Sequence, residues 1–171
     1  WEDGELTVER YYEIKYHVDD SKSLEEWEKI ITDTFAESVA AHQIADVEVG
    51  CFLSSGVDSS FVVNEVAKGT PHVKSFSVGY AEEKYSELPY AQEFSKEIGV
   101  PSIANKVDAE QFFEANRLIQ WYLDEPMPNP AEVPLYFLAQ NARKYVKVVL
   151  SGEGADELFG GYTIYNEPHV F

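Results

Sequence analysis

From residue 47 onward, short apolar runs alternate with stretches of helical periodicity, and this alternation restricts the chain to few folds. Strands that alternate with helices fold through right-handed crossovers into a parallel sheet covered by helices. The pattern predicts strands at 47–53, 73–78, 101–107 and 145–150, and helices at 58–68, 87–98, 109–119 and 133–144. We therefore expect an α/β fold with a parallel, doubly wound sheet.

The order of the strands depends on which side of the first strand the second and third strands occupy. If the second and third strands lie on one side of the first, the fourth must return to its other side. The connection over 108–144, which contains a proline-rich segment at 124–130, is long enough for that crossing. The expected order is 3-2-1-4, and ligands of such sheets bind beyond the carboxyl ends of the strands, where the winding reverses.

The first predicted strand ends in a turn rich in serine and glycine, Ser54-Ser55-Gly56, which opens a helix. Backbone N–H groups and hydroxyls in such a turn converge beside the positive end of a helix dipole, which favours phosphate. Asp58 in the same turn offers a carboxylate that could hold a divalent cation on that phosphate. The turn predicts a nucleotide site, although a turn of this kind alone is most often a simple connection.

A second glycine-rich turn, residues 151–157, follows the fourth predicted strand. Gly152 and Gly154 could be ordinary left-handed turn residues, and Asp156 could merely begin a helix, where acids are favoured. Because the first and fourth strands are expected to be neighbours, the two turns should face each other across one crevice. Asp58 and Asp156 would then converge near a phosphate, an arrangement that suits magnesium.

The net charge of −18 argues against a nucleic-acid surface, which needs clustered Lys and Arg. No Lys or Arg lies within residues 47–60, so backbone dipoles and a bound cation would have to neutralise a phosphate there. The single cysteine, Cys51, lies inside a predicted strand and is interpreted as a small buried hydrophobe. With no signal peptide and no apolar run of membrane-spanning length, we expect a soluble cytoplasmic protein without a membrane partner.

The N-terminal part has a different pattern. Residues 5–18 alternate as a strand does and predict a short strand-like lead-in or hairpin, so residues 1–20 are interpreted as a lead-in or the remnant of a preceding domain. Ser23 and Glu26 have the spacing of a capping box at the start of a helix. The main domain is expected to span 21–171.

Both turns carry a resemblance to a known family. The segment Ser54–Ser59 resembles the pyrophosphate loop of the ATP pyrophosphatases, usually Ser-Gly-Gly-x-Asp-Ser, and residues 150–162 resemble the second signature of the glutamine-hydrolysing asparagine synthetases. Segments 77–79 and 123–126 match in order and spacing, and the similarity extends from about residue 20 to the end. The resemblance implies an adenine nucleotide α-hydrolase-like fold.

It also implies a reaction, in which Mg-ATP activates the side chain of aspartate to β-aspartyl-AMP with release of pyrophosphate, and ammonia from glutamine then displaces AMP. The implied ligands of the phosphates that leave are Ser54, Ser55, Gly56, Asp58 and Ser59. Magnesium would be bound by Asp58 and Asp156. Leu53 and Val78 would pack against the adenine, Gly152 would allow close approach of the backbone, and Glu153 would act catalytically in acyl transfer.

Ser55 departs from the more frequent glycine of the family. A Cβ at this position restricts the backbone, whereas the hydroxyl could add a donor to a phosphate. The role of Asp124 and Glu125 stays open between a helix-ending turn and part of an amino-acid pocket.

The resemblance further implies that the chain is a fragment. The family's glutaminase domain uses an N-terminal cysteine that internal Cys51 cannot replace, and the family continues through a helical region with a catalytic lysine that has no match here. We expect a fragment that binds Mg-ATP weakly without turnover, with residues 1–20 a lead-in or the remnant of a preceding glutaminase domain. An apolar flank exposed by truncation would favour a homo-oligomer.

Two other functions remain open. A β-lactam-forming synthetase would share the pyrophosphate loop and a similar second signature. A non-catalytic nucleotide-binding domain would share the fold alone. Enzymes that adenylate RNA are disfavoured because they should carry basic patches or thiol pairs.

Overall fold

The computed structural model of the protein describes residues 1–126, 129 and 131–165. The remaining residues of the predicted proline-rich segment, Met127, Pro128 and Pro130, lie outside the described residues. The chain divides into two compact units, Trp1–Phe35 and Ala36–Phe171, and the division falls inside helix α1, Leu24–His42. The domain boundary expected at residue 20 stays a prediction.

The strand predicted over 5–18 is wrong. Residues 6–20 belong to no helix or strand, and the isolated bridge between Glu2 and Glu5 is the pairing found nearby. Apolar side chains that alternate along this segment are exposed, including Tyr11 at 100% and Val18 at 86%. Alternation favours a strand only where a partner strand and an apolar surface are available, and the segment has no strand partner within the described chain.

The start of α1 is as predicted. The Glu26 N–H donates to Ser23 Oγ at 3.2 Å, and the Ser23 N–H donates to Glu26 Oε2 at 2.7 Å. These reciprocal bonds satisfy two N–H groups at the start of α1 that would otherwise lack partners.

The second unit contains a parallel sheet of four strands: β1 (Val49–Phe52), β2 (Ser75–Tyr80), β3 (Ser102–Val107) and β4 (Val148–Leu150). The order β3-β2-β1-β4 confirms the predicted topology. Cys51 of β1 pairs with Ser75 on one side and with Leu150 on the other. The first and fourth strands are therefore neighbours, and their carboxyl ends lie at the same edge of the sheet.

The helices of this unit are α2 (Val57–Gly69), α3 (Leu88–Glu97), α4 (Ala109–Leu123), α5 (Glu132–Ala142) and α6 (Ala155–Phe159), with a 3₁₀ turn at Glu83–Tyr85. The fourth strand is shorter than expected because residues 145 and 146 still close the end of α5. The N–H groups of Tyr145 and Val146 both donate to Ala142 O, at 2.9 and 3.0 Å. Apolar β-forming residues here continue a helix-ending turn rather than a strand.

Buried apolar side chains pack the sheet against its helices below the two glycine-rich turns. Phe76, Val63 and Val66 are completely buried. A second cluster joins the end of β3 to α4 and α5 through Val107, Ala115, Ile119, Val133 and Phe137. None of the described helices is long and apolar enough to cross a membrane.

Candidate functional site

The two glycine-rich turns are in direct contact at the carboxyl edge of the sheet. A Cβ added at Gly152, in the turn after β4, would lie 2.8 Å from Ser59 N and 2.9 Å from the carbonyl carbon of Asp58. These distances are shorter than real Cβ contacts, so only glycine lets the two backbones approach this closely. The predicted meeting of the two turns is confirmed.

A cavity of about 270 Å³ lies between the turns and is bounded also by β2, α3 and α5. It is lined by all ten residues that the sequence singled out: Leu53, Ser54, Ser55, Gly56, Asp58, Ser59, Val78, Gly152, Glu153 and Asp156. The structure thus brings the candidates together, while the role of each stays a prediction.

Hydroxyl groups organise the turn that precedes α2. Ser59 Oγ accepts from the Ser54 N–H at 3.1 Å and lies 2.8 Å from Ser54 Oγ. Ser54 Oγ also accepts from the Gly56 N–H at 3.1 Å. The turn is held by its own side chains, so its shape does not depend on a bound ligand.

The beginning of α2 adds backbone donors to this turn. The Ser60 N–H donates to Gly56 O at 3.2 Å and makes the first bond of the helix. The N–H groups of Val57, Asp58 and Ser59 precede that bond and have no partner within the helix. Such groups at the positive end of a helix dipole favour an anion.

Ser55 is accommodated without backbone strain. Asp3 and Asp124 are the non-glycine residues with positive φ in the described chain, so Ser55 lies outside the left-handed region. The restriction expected from its Cβ therefore does not distort the turn. Its Oγ donates to Glu87 Oε2 at 2.7 Å.

The second turn depends more on backbone geometry than on side-chain bonds. Gly154 has φ of 91° before α6, a conformation that glycine adopts readily, whereas Gly152 does not have positive φ. The Glu153 N–H donates to Ser151 Oγ at 3.4 Å. Asp156 lies in the first turn of the short helix α6, where an acidic residue was expected to be favourable, and it also lines the cavity.

Residues beyond α6 enclose Asp156. The Gly161 N–H donates to Asp156 O at 3.0 Å, and a Cβ at Gly161 would overlap Asp156 Oδ1. The Tyr162 hydroxyl donates to Glu157 Oε1 at 3.0 Å, and this hydrogen bond raises the pKa of Tyr162.

The inner part of the cavity is apolar. Leu53 is buried, its N–H donates to Phe76 O at 2.9 Å, and its carbonyl accepts from Ser77 Oγ at 2.8 Å. Val78 lies on the neighbouring strand, and Leu135 and Leu138 of α5 complete the wall. An apolar wall beside polar turns is the usual construction of a site for a small organic ligand.

Several lining residues were not among the ten candidates, although Ser151 and Gly154 belong to the turn at 151–157 that was expected at the crevice. These are Phe52, Glu87, Leu88, Ala91, Leu135, Leu138, Ser151, Gly154 and Tyr162. Glu87 and Leu88 could have been found, because they start the helix that follows the neighbouring strand. Leu135 and Leu138 carried no signal, since helical periodicity does not tell which side of a sheet a long crossover covers.

The charges of the cavity have one sign. Its lining includes four carboxylates, on Asp58, Glu87, Glu153 and Asp156, and none of the described lining residues is Lys, Arg or His. Among the described residues, no three or more His, Cys, Asp or Glu side chains form a cluster that could hold a metal. Mg²⁺ is commonly held by one or two carboxylates together with substrate phosphates and water, and Asp58 and Asp156, which both line the cavity, carry the oxygen donors that such a site requires.

Two other residues have structural roles. Cys51 is completely buried in β1, and burial raises the pKa of its thiol to about 12, which confirms its interpretation as a small buried hydrophobe. Asp124 ends α4 in the left-handed conformation with φ of 61°, as a helix-ending turn requires. It is absent from the cavity lining among the described residues.

The strand order and the position of the cavity define the class: an α/β protein with an adenine nucleotide α-hydrolase-like fold. Solved structures with this fold include the NH3-dependent NAD synthetase of Campylobacter jejuni (TM-score 0.54, 16% identity, 81% of this chain and 62% of that one). A glutamine-dependent NAD⁺ synthetase of Acinetobacter baumannii, solved with ADP, is also similar (TM-score 0.56, 18% identity, covering 86% of this chain and 30% of that one).

The particular family follows from the sequence comparison. The asparagine synthase family model matches residues 31–171, and the chain belongs to this family. It is 40% identical over 169 residues to asparagine synthetase [glutamine-hydrolyzing] 1 of Bacillus subtilis, covering 97% of this chain and 26% of that protein. It is 26% identical over 174 residues to asparagine synthetase B of Escherichia coli, covering 92% of this chain and 30% of that protein. The chain thus spans roughly a quarter to a third of these relatives' lengths.

Proposed function

We propose that this chain forms the ATP-binding part of an ATP-dependent carbon–nitrogen ligase that makes asparagine from aspartate. The side chain of aspartate would attack the α-phosphorus of ATP to give β-aspartyl-AMP and pyrophosphate, and ammonia would then displace AMP. The observation that carries the proposal is the contact of Gly152 with the backbone of Asp58 and Ser59, which joins the two turns into one cavity. Membership of the asparagine synthase family supports the choice of reaction.

The first turn would hold the β- and γ-phosphates, which leave as pyrophosphate. Ser54, Ser55, Gly56, Asp58 and Ser59 surround the start of α2, where free N–H groups can donate to phosphate oxygens. Charge grows on the leaving group as the bond to the α-phosphorus breaks. Donors that are already fixed stabilise that charge without reorganisation.

Magnesium would be held by Asp58 and Asp156, one from each turn. When bound, the ion would offset the charge of the phosphates in a cavity whose described lining carries no basic side chain. The remaining carboxylates would still face the nucleotide.

Leu53 and Val78 would contact the adenine at the apolar end of the cavity. Gly152 would let the nucleotide approach the second turn. Glu153, at the cavity wall between the two glycines, would orient the acyl group or accept a proton from the ammonia that attacks it.

Ammonia would come from glutamine through a glutaminase domain, since the relatives are glutamine-hydrolysing asparagine synthetases. A cytoplasmic location and self-association into a homo-oligomer stay predictions. Light scattering tests self-association directly, and a monomer would contradict it.

Titration of the protein with ATP, with and without Mg²⁺, tests the nucleotide site. We expect Asp58→Ala to weaken Mg²⁺-dependent affinity about tenfold or more, since a charged partner of the bound ion is lost. Asp46→Ala is the matched control, because Asp46 is exposed and absent from the described cavity lining. Equal affinities of the two variants would contradict the proposal.

Release of pyrophosphate with different acids tests the reaction in a full-length protein that contains this chain, because the chain by itself is expected to bind Mg-ATP without turnover. Aspartate is expected to stimulate release, whereas stimulation by carboxyethyl-arginine-type acids instead would identify a β-lactam-forming ligase. Tight Mg-ATP binding without release for any acid would favour a non-catalytic nucleotide-binding domain.

A further inference from the structure

One hydrogen bond connects the first turn to a different part of the sheet edge. Ser55 Oγ donates to Glu87 Oε2 at 2.7 Å, across 32 positions of sequence. Glu87 stands immediately before α3, but its side chain makes no capping bond to that helix. Its carboxylate instead accepts a hydrogen bond from Ser55 in the first turn.

This bond restricts what Ser55 can offer to a ligand. A hydroxyl has a single hydrogen, and while Ser55 donates it to Glu87 the group cannot donate to a phosphate oxygen. The bond also holds a carboxylate beside the turn, in a cavity where the described lining residues include three further acids and no base. Ser55 and Glu87 are both exposed, so solvent screens this charge in part, but a polyphosphate that enters still meets a carboxylate at a position set by the hydrogen bond.

Glu87 differs from the two aspartates in this respect. Asp58 and Asp156 would share a cation, which would neutralise them. Within the described chain, Glu87 forms no cluster of three metal-binding side chains with them. Its charge would persist when the cation is bound.

We propose that Glu87, held in place by Ser55, is a specificity-determining residue that selects nucleotide carrying a divalent cation over free nucleotide. This inference rests on the proposed ATP site and assigns one function within it. The physical cause is charge. Free ATP carries about four negative charges and its magnesium complex about two, so repulsion from one fixed carboxylate is about twice as large for the free form.

Calorimetry measures this selection. The dissociation constant of ATP in EDTA is divided by the dissociation constant of ATP in excess Mg²⁺, and a larger ratio means a stronger preference for Mg-ATP. Glu87→Gln retains an oxygen that can accept from Ser55 but removes the charge. We expect it to strengthen binding of free ATP about tenfold and of Mg-ATP about threefold, so that the ratio falls about threefold.

Ser55→Ala tests whether the hydrogen bond positions the charge. The carboxylate stays charged but is no longer held, so the ratio is expected to fall by a smaller factor, about twofold. If Ser55→Ala only removed a contact that free ATP and Mg-ATP share, both dissociation constants would change by the same factor and their ratio would stay the same. The double variant should match Glu87→Gln, because the position of Glu87 no longer matters once its charge is removed.

Glu83→Gln is the matched control, since Glu83 is a neighbouring acid outside the described cavity lining. An unchanged ratio in Glu87→Gln, with Mg-ATP still bound, would overturn the selectivity role alone. A protein that binds neither form of ATP would overturn the proposed function itself. A ratio that falls equally in Glu83→Gln would mean that net charge, rather than the position of Glu87, sets the preference.

Discussion

The two turns that form the cavity are stabilised in different ways. In the turn after β1, hydroxyl groups of Ser54 and Ser59 bond to each other and to the backbone, and these bonds lie within the turn itself. The turn after β4 has one weak side-chain bond of this kind, at 3.4 Å, and its shape depends on glycines at positions of close approach. Substitution should therefore affect the first turn gradually and the second abruptly.

Gly152→Ala is expected to have the largest effect on this site. The new Cβ would lie 2.8–2.9 Å from backbone atoms of Asp58 and Ser59, and backbone cannot rotate away as a side chain can. Separating the turns should weaken Mg-ATP binding about 30-fold, or ~2 kcal/mol. Calorimetric titration measures the loss.

Gly69→Ala controls for the substitution itself. A Cβ at Gly69 meets nothing within 4 Å, and Gly69 does not have positive φ. Affinities that are the same in the two variants would contradict the view that contact between the turns builds the site.

Gly161→Ala should have a smaller effect that is selective for the metal. Its Cβ would overlap Asp156 Oδ1, the end of a side chain that can rotate, and Gly161 does not have positive φ. The carboxylate would move, while the backbone, whose nearest atom is Asp156 Cα at 3.3 Å from the new Cβ, would shift only slightly. We expect Mg²⁺-dependent ATP affinity to fall about tenfold and affinity in EDTA to stay within about twofold, again by calorimetry.

Comparing ATP affinity with and without Mg²⁺ distinguishes the role of Gly161 from that of Gly152. A Gly161→Ala variant that lost affinity equally with and without Mg²⁺ would show that the glycine supports the turn rather than the position of Asp156. Gly69→Ala serves as the control here as well.

The sequence predicted the strand order, the meeting of the turns and the residues at the ends of β1 and β4. The strand order and the meeting of the turns rest on alternation and on a connection long enough for the fourth strand to return, whereas the roles of individual residues were implied by the resemblance of the two turns to the family. The leucines of α5 were missed because their approach to the cavity depends on how α5 packs over the sheet. Glu87 was missed although its place at the start of the helix after β2 could have indicated it. The N-terminal segment shows the opposite error: its alternation is real, but exposed Tyr11 and Val18 find no partner strand in the described chain.

Ser59→Ala tests the first turn and should have the smallest effect of the three substitutions. Ser59 is buried, and its hydroxyl accepts from the Ser54 N–H and donates to Gly56 O at 3.2 Å. Several weak hydrogen bonds together stabilise this turn, so the loss of one hydroxyl removes only part of the stabilisation. We expect the free energy of unfolding to fall by about 1 kcal/mol and the affinity for Mg-ATP to fall about fivefold. Chemical denaturation and calorimetry measure the two quantities.

Ser60→Ala is a close control, since it removes a hydroxyl one residue further along α2 that makes no side-chain hydrogen bond to the described residues. If Ser59→Ala behaved like this control, the hydroxyl network would not stabilise the first turn. If it instead weakened Mg-ATP binding about 30-fold, as Gly152→Ala should, the first turn would be as intolerant of substitution as the second. A graded loss between these limits is what redundant hydrogen bonds predict, because water can replace part of a lost hydroxyl but cannot relieve an overlap of two backbones.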